Sequence, residues 1–301
     1  MGKLTTFLKN PIYFITSPAA KGYLNWVPDS IYIKILFKAL VGEKCHLKHP
    51  VTYNEKLQWL KLHDRKPEYS EMVDKYEVRK YIARTLGEEY LIPCFGVYES
   101  FDEINFAELP DQFVLKCTHD SGSVIICTDK FKLDIAAAKE RLTKAMKKNY
   151  YDTYREWPYK GVKPRIIAEK YMVDESGDDL KDYKIMCFNG KAKVIETHEN
   201  RYTEGKTHTQ TFYTENWEKL DIYQVDLYPT KEKRPKPEQM DTLIALSEKI
   251  AHDMYHARVD WYLINGHIYF GEITFYDGSG FEPFPEKKDD VYLGNLLKLP
   301  Q

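Results

Sequence analysis

A chain of 301 residues can bury a sizeable core, as one large domain or as two to three lobes. Its 44 basic and 46 acidic side chains nearly cancel, so no global field argues for nucleic acid or for an acidic partner. Five cysteines without a CxxC spacing argue against a disulfide framework or a zinc knuckle and suit a reducing compartment.

Residues 1–17 lack a continuous apolar core and a small-residue cleavage site, so no secretion signal is expected and the chain reads as cytoplasmic. The first fifty residues look helical and irregular, punctuated by Pro11, Pro18 and Pro28. Within them, residues 23–41 are apolar in patches, but Asp29, Lys34 and Lys38 interrupt the run too early for a membrane span. Lys34 and Lys38 fall on one helical face. Such a helix either lies against the inner face of a membrane or packs on the rest of the protein.

Residues 54–60 are helix-like. Asp74 with Glu77 forms a capping box that opens a helix through Val78, Tyr81, Ile82 and Leu86, ending at Gly87. A short strand begins at Leu91-Ile92-Pro93, and 101–109 is a connection. Residues 113–118, 119–123 and 124–127 read as strand, tight polar turn and strand. The stretch 134–149 is an alanine- and lysine-rich helix whose basic last turn suits the helix dipole. Strand 165–172 follows, then a hairpin of 182–188 and 191–197 about Asn189-Gly190. A proline- and lysine-rich loop at 228–237, a helix at 241–256 and a second hairpin at 258–275 complete the series. No internal repeat is visible. The class is α+β, mostly antiparallel sheets with helices packed on them. Cys117, Cys127 and Cys187 lie in its apolar strand runs, where a small buried side chain is the default. The 24 tyrosines fit half-buried sheet surfaces or contacts to sugars and nucleobases.

The last hairpin, RVDWYLINGHIYFGEITF, carries Asp260 and Glu272 among sheet formers. A two-residue Asn265-Gly266 turn pairs Ile264 with His267 and sets Asp260 against Gly271, which sends Glu272 to the other face. A three-residue turn with a bulge shifts the register by one, so that Asp260 meets Glu272 and Arg258 meets Thr274. Facing carboxylates repel unless a cation lies between them. That cation is either magnesium, which favours hard oxygen ligands, or Arg258 in a salt-bridged sheet.

Lys116 sits on an otherwise apolar strand, where its charge requires a fixed partner. The turn of Asp120, Ser121, Gly122 and Ser123 after it is small enough to lay N–H groups along a phosphate, or is a plain β-turn. Glu169 lies on an apolar strand whose edge could hold an adenine ring, and alternation explains it as well. His252 and His256 are spaced i, i+4, but the HExxH pattern of a zinc enzyme is broken and a solvated helix face suffices.

Taken in order, YNEKLQWLKLHDR, VDKYEVRKYI, FVLKCTHDSGS, REWPYK, RIIAEKYM, DYKIMCFNGK and the final hairpin resemble the TupA-like branch of the ATP-grasp superfamily. That branch is associated with bacterial surface-polysaccharide gene clusters. The resemblance implies two α+β lobes clasping a nucleotide, with ATP and Mg²⁺ as cofactors. It divides the chain into an N-terminal helical extension (1–52), a preceding region (53–110), a first lobe (111–172) and a second lobe (173–301). It assigns Lys116 to the α/β phosphates, residues 120–123 to the phosphate loop, and Glu169, Lys170, Tyr171 and Met172 to the adenine hinge. Lys184 and Arg258 would act on the transferred phosphoryl group, and Asp260, Glu272 and Thr274 on magnesium. Many ATP-grasp enzymes have asparagine where Thr274 stands, so a weaker second magnesium is expected. Loop 120–123 is also glycine-poor.

The implied reaction is ATP-dependent joining of an amine to a carboxylated sugar, with a small molecule or a polysaccharide precursor as substrate. His119, Arg155, Trp157, Lys160 and Arg201 are candidate acceptor contacts; His119 also reads as an ordinary turn histidine, and the 155–160 stretch as a loop anchored by a buried tryptophan. Rival readings are a glycosyltransferase, a sugar phosphotransferase and a non-catalytic nucleotide-binding scaffold. The acidic pairs Asp178-Asp179 and Asp289-Asp290 are adjacent rather than DxD, against the glycosyltransferase, and read as lying in loops.

Overall fold

A computed structural model describes residues 12–175, 180–199, 207–225 and 227–300. The chain divides into two compact units, the first of residues 1–44, 61–81 and 92–171, the second of 45–60, 82–91 and 172–301.

In the first unit a four-stranded antiparallel sheet has the order β1 (Cys94–Tyr98), β4 (Ile166–Lys170), β2 (Phe113–Cys117), β3 (Val124–Cys127). Alternation along β2 turns Phe113, Leu115 and Cys117 into a core with Ala138, Leu142 and Ala145 of α6 (Ile135–Met146). Val114 and Lys116 therefore take the opposite face. The expected helix at 134–149 is shorter at both ends: Asp134 is its N-cap, accepting from Ala137 N. The first strand begins at Cys94, after Pro93, which has no N–H to donate.

Before this sheet come α1 (Tyr13–Ala19), α2 (Asp29–Leu40), α3 (Tyr53–His63), α4 (Glu68–Val73) and α5 (Val78–Thr85). The capping box at Asp74 is only half made. Asp74 Oδ1 accepts from Tyr76 and Glu77 N, but the Glu77 carboxylate turns to Arg165 and Lys80. A short helix, α7 (Tyr150–Tyr154), precedes β4.

The second unit holds a five-stranded antiparallel sheet, ordered β7 (Thr209–Thr214), β6 (Lys191–Glu199), β5 (Lys181–Phe188), β8 (His256–Ile264), β9 (His267–Thr274). The edge strand β7 has no counterpart in the sequence reading, although the Thr, Phe and Tyr of TQTFYT are sheet formers. Helix α8 (Met240–Ala251) covers one face, where Trp261 is buried and donates Nε1–H to Ser247 Oγ at 2.8 Å. Both hairpins turn at Asn-Gly with positive φ at both positions, as a tight two-residue turn demands.

Helix α8 ends at Ala251, so His252 and His256 do not share a helix. His256 opens β8 and is buried, not on a solvated face. Asp289 and Asp290 are likewise not in a loop but in the first turn of α9 (Lys287–Leu296), where Asp290 Oδ1 accepts from Asn54 N at 2.9 Å. The pair Asp178-Asp179 lies outside the described residues. Cys117, Cys127 and Cys187 are buried free thiols, as expected.

Candidate active site

Register decides which side chains share a face of the second sheet. Ile264 pairs with His267, so the turn is the strict two-residue kind, yet Asp260 pairs with Glu272 and Arg258 with Thr274. The shift occurs inside β9, between the Asp260 and Trp261 pairs, where Gly271 is the extra residue. A Cβ at Gly271 would stand 3.0 Å from Asp260 O and 3.3 Å from the Tyr262 ring. Glycine thus lets the strand bulge against its partner. The bulge comes from Gly271, not from a three-residue turn.

Alternation then puts Lys184 of β5, Glu196 of β6 and Asp260 of β8 in one row on the face away from α8. Lys184 Nζ lies 2.5 Å from Asp260 Oδ2 and 3.1 Å from Asp182 Oδ2. Arg258 grips Asp260 with two nitrogens, Nε to Oδ1 at 2.8 Å and Nη2 to Oδ2 at 3.0 Å. Its Nη1 donates to Asp277, and Nη2 is 3.4 Å from both Glu272 Oε1 and Thr274 Oγ1. Burial works against ionisation of Asp260, but the Arg258 and Lys184 charges hold its carboxyl below the usual range. Burial also opposes the Lys184 charge, and Asp260 wins that contest, raising its pKa. Asp277 is pushed up, by burial first and then by Glu196, against Arg258.

Glu196 was not anticipated. Its Oε1 accepts from His198 Nε2 at 2.5 Å and from Gln210 Nε2 at 2.9 Å. The strand VIETHE showed two polar residues one alternation apart, a signal that marks a polar face but not what it joins. His256 is equally structural. Nδ1–H donates to Phe275 O at 2.8 Å, which leaves Nε2 to accept from Tyr53 O–H at 3.0 Å. Burial holds its pKa down to about 4, so the ring stays neutral.

Five carboxyl groups (Asp182, Glu196, Asp260, Glu272, Asp277) thus gather around Lys184 and Arg258. Of these, Asp260 and Glu272 are the facing pair that a divalent cation would bridge. Glu272 is 43% exposed and its partners among the described residues are at 3.4 Å or more, so it is the most available oxygen donor of the pair. Among the described residues no group of three or more His, Cys, Asp or Glu side chains could cage a metal. Two carboxylates with the Thr274 hydroxyl suit magnesium, which keeps few protein ligands beside phosphate oxygens and water.

In the first unit, Lys116 Nζ lies 2.6 Å from Glu169 Oε2, and Arg79 Nη1 is 3.4 Å from Glu169 Oε1. The fixed partner that a strand lysine requires is therefore Glu169, and Arg79, which lies within VDKYEVRKYI with no role assigned to it there, is a third member. Lys75 Nζ donates to Asp120 O at 2.5 Å, Arg141 Nη2 to Gly122 O at 2.8 Å, and Ser123 Oγ to Asp120 Oδ1 at 2.6 Å. Gly122 has φ of +96° with nothing within 4 Å of a would-be Cβ, so the turn is open on that side. Lys170 and Tyr171 border a shallow cavity of about 680 Å³ with Phe95 and Phe131. Met172 is half-buried after β4.

The candidate acceptor residues scatter. His119 is buried with Nε2 3.3 Å from Ala145 O, its pKa lowered by burial, and it lines a cavity of about 270 Å³ with Lys147 and Lys148. Arg155 is fully buried. Its guanidinium stacks 4.2 Å from the Tyr32 ring centroid and donates to Leu24 O, Asn25 Oδ1 and Asp152 O. It anchors its loop, the part expected of a tryptophan, and Trp157 itself is half-buried. Lys160 is exposed with Nζ 5.0 Å from the Tyr151 ring. Arg201 lies outside the described residues.

The chain has the α+β fold of the ATP-grasp proteins. It belongs to the TupA-like ATPgrasp family, whose model matches residues 55–298. No curated protein matches it. Similar solved structures include D-alanyl-alanine synthetase A of Vibrio cholerae, 11% identical over 74% of this chain and 62% of that one, with a TM-score of 0.43. The D-alanine–D-alanine ligase of Helicobacter pylori is 15% identical over 83% and 68%, TM-score 0.42. That of Bacillus anthracis complexed with ATP is 18% identical over 68% and 55%, TM-score 0.38. The chain thus spans between half and two thirds of the length of the first ligases it matches. No helix among the described residues is long and apolar enough to cross a membrane.

Proposed function

We propose that the chain is a carboxylate–amine ligase that joins an amino compound to a carboxylated sugar of a surface polysaccharide or its precursor. The single observation that carries this reading is the pairing of Asp260 with Glu272 beside Arg258 and Lys184 on one sheet face. When bound, ATP with magnesium supplies the phosphoryl group that turns a carboxylate into an acylphosphate. Family membership supports this chemistry; the polysaccharide context rests on the resemblance alone.

Asp260, Glu272 and Thr274 are the oxygen donors for magnesium in this reading. Lys184 and Arg258 offset negative charge on the phosphoryl group in transfer, and do so from fixed positions because Asp260 and Asp277 hold them. Lys116 holds the α/β phosphates, oriented by Glu169, and the 120–123 turn lays its backbone along them. Glu169, Lys170, Tyr171 and Met172 form the adenine hinge. No side-chain nucleophile is needed: the substrate carboxylate displaces ADP from the γ-phosphorus, the amine then displaces phosphate from the acyl carbon, and the amine proton is released.

The test is release of ADP and phosphate, with uronic-acid sugars crossed against amino acids and small amines. Turnover that requires both partners and yields an amide is the expected result. A phosphorylated sugar without amide would replace the reading by a phosphotransferase. Binding of a nucleoside-diphosphate sugar but not ATP would replace it by a glycosyltransferase.

A further inference from the structure

Helix α2 has two faces with different fates. Tyr32, Ile33, Leu36 and Phe37 are buried. Tyr32 O–H donates to Thr153 O at 2.8 Å, Asp29 Oδ2 takes Arg65 Nη2 at 2.7 Å, and Asp29 Oδ1 takes Tyr151 O–H at 2.6 Å. These contacts fix the helix from within, so its outer residues are not needed for its packing. That outer stripe nonetheless carries Ile31 and Ile35, each about half exposed, in line with exposed Lys34 and Lys38 at helical spacing. Just before the helix, Trp26 is 81% exposed and Tyr23 is exposed as well. Single exposed apolar residues are ordinary; this grouping of an indole, a phenol and two isoleucines within thirteen residues is not.

The charge around the patch selects its occupant. Between residues 21 and 44 there are four lysines (Lys21, Lys34, Lys38, Lys44) and two acids (Asp29, Glu43), a net +2 in a chain whose net charge is −2. Asp29 faces inward, taken up by Arg65, Tyr151 and Arg155. Lys38 Nζ donates one hydrogen bond to Gly42 O at 2.7 Å and keeps its charge at the surface. Apolar side chains that carry Trp and Tyr and are interleaved with lysines match a bilayer interface. Rings sit at headgroup depth, isoleucines enter the acyl boundary and lysines meet anionic phosphates. We propose that residues 21–38 dock the enzyme on an anionic lipid surface, with α2 lying on it rather than crossing it.

The experiment is co-sedimentation of the full chain with vesicles of phosphatidylcholine alone and of phosphatidylcholine with phosphatidylglycerol in equal parts. The chain is expected to pellet with the anionic vesicles, much less with the neutral ones, and less again as salt is added. Trp26→Ser with Ile35→Ser, and separately Lys34→Glu with Lys38→Glu, are expected to weaken binding roughly tenfold or more. Both pairs are solvent-facing, so an unchanged melting temperature shows that the fold is intact. Equal pelleting of wild type and both variants overturns the proposal, as does no pelleting at all. So does concentration-dependent self-association that the Trp26→Ser, Ile35→Ser pair abolishes without any vesicle binding, which would make the patch a contact between copies. The vesicle assay needs no ATP turnover, so its outcome is independent of the ligase reading.

Discussion

Asp260 stands opposite Glu272 across the last hairpin although a two-residue turn should have set it against Gly271. The one-residue slip is absorbed where a glycine lets the strand bulge. Every consequence for the charged face follows from that slip, since a strand offset by one residue sends its side chains to the other side.

Gly271→Val is therefore expected to disturb the register at a site with no backbone strain of its own. The new side chain would begin 3.0 Å from the Asp260 carbonyl oxygen, tight enough that the partner backbone must give way. A loss of about 1–3 kcal/mol in stability is expected by denaturant unfolding, together with loss of magnesium-dependent ATP turnover. Wild-type turnover in this variant would show that the bulge does not set the site.

The two acids should separate stability from activity. Asp260 is buried under Lys184 and Arg258, so Asp260→Asn removes the charge the two cations share, leaves them Asp182 and Asp277, and is expected to cost about 3 kcal/mol. Glu272 is nearly half exposed with only long contacts, so Glu272→Gln is expected to change stability by less than about 0.5 kcal/mol while abolishing turnover. Thermal melts alongside ADP release measure both. Full activity in Glu272→Gln would remove it from the proposed metal ligands.

His256 predicts a pH dependence of stability. Its folded pKa of about 4 lies below the ordinary 6.5, so the unfolded chain binds the proton first. Its share of stability is complete above pH about 6.5 and drains away as pH falls toward about 4. At about 1.4 kcal/mol per unit the full loss approaches about 3 kcal/mol. His256→Asn should be less stable at neutral pH, through the Tyr53 and Phe275 bonds it disturbs, and should lose less than wild type between pH about 7 and about 5. Parallel unfolding curves at the two pH values for both proteins would refute the assignment.

Arg155 is expected to behave as a structural residue. Its guanidinium stacks on Tyr32 and Tyr151, meets Asp29 and donates to two carbonyls, a set that an ammonium cannot reproduce. Arg155→Lys should lower stability by about 2–3 kcal/mol while leaving the KM for either substrate unchanged. A selective rise in KM for one substrate would restore it as an acceptor contact.

The sequence by itself determined the local periods. Alternation in FVLKC and RVDWYLI, the Asn-Gly turns and the proximity of Lys116 to its turn depend on neighbours within a few residues. It also brought Asp260 and Glu272 into one ribbon. Only the tertiary structure decided which of two registers the ribbon takes, because the choice rests on crowding around Gly271. The same holds for partners far apart in sequence: Lys184 with Asp260, Lys116 with Glu169, and Arg155 beneath Tyr32. A charged side chain looks alike in sequence whether it faces water or an opposite charge. What packs over it fixes the difference, and that is set by the whole chain at once.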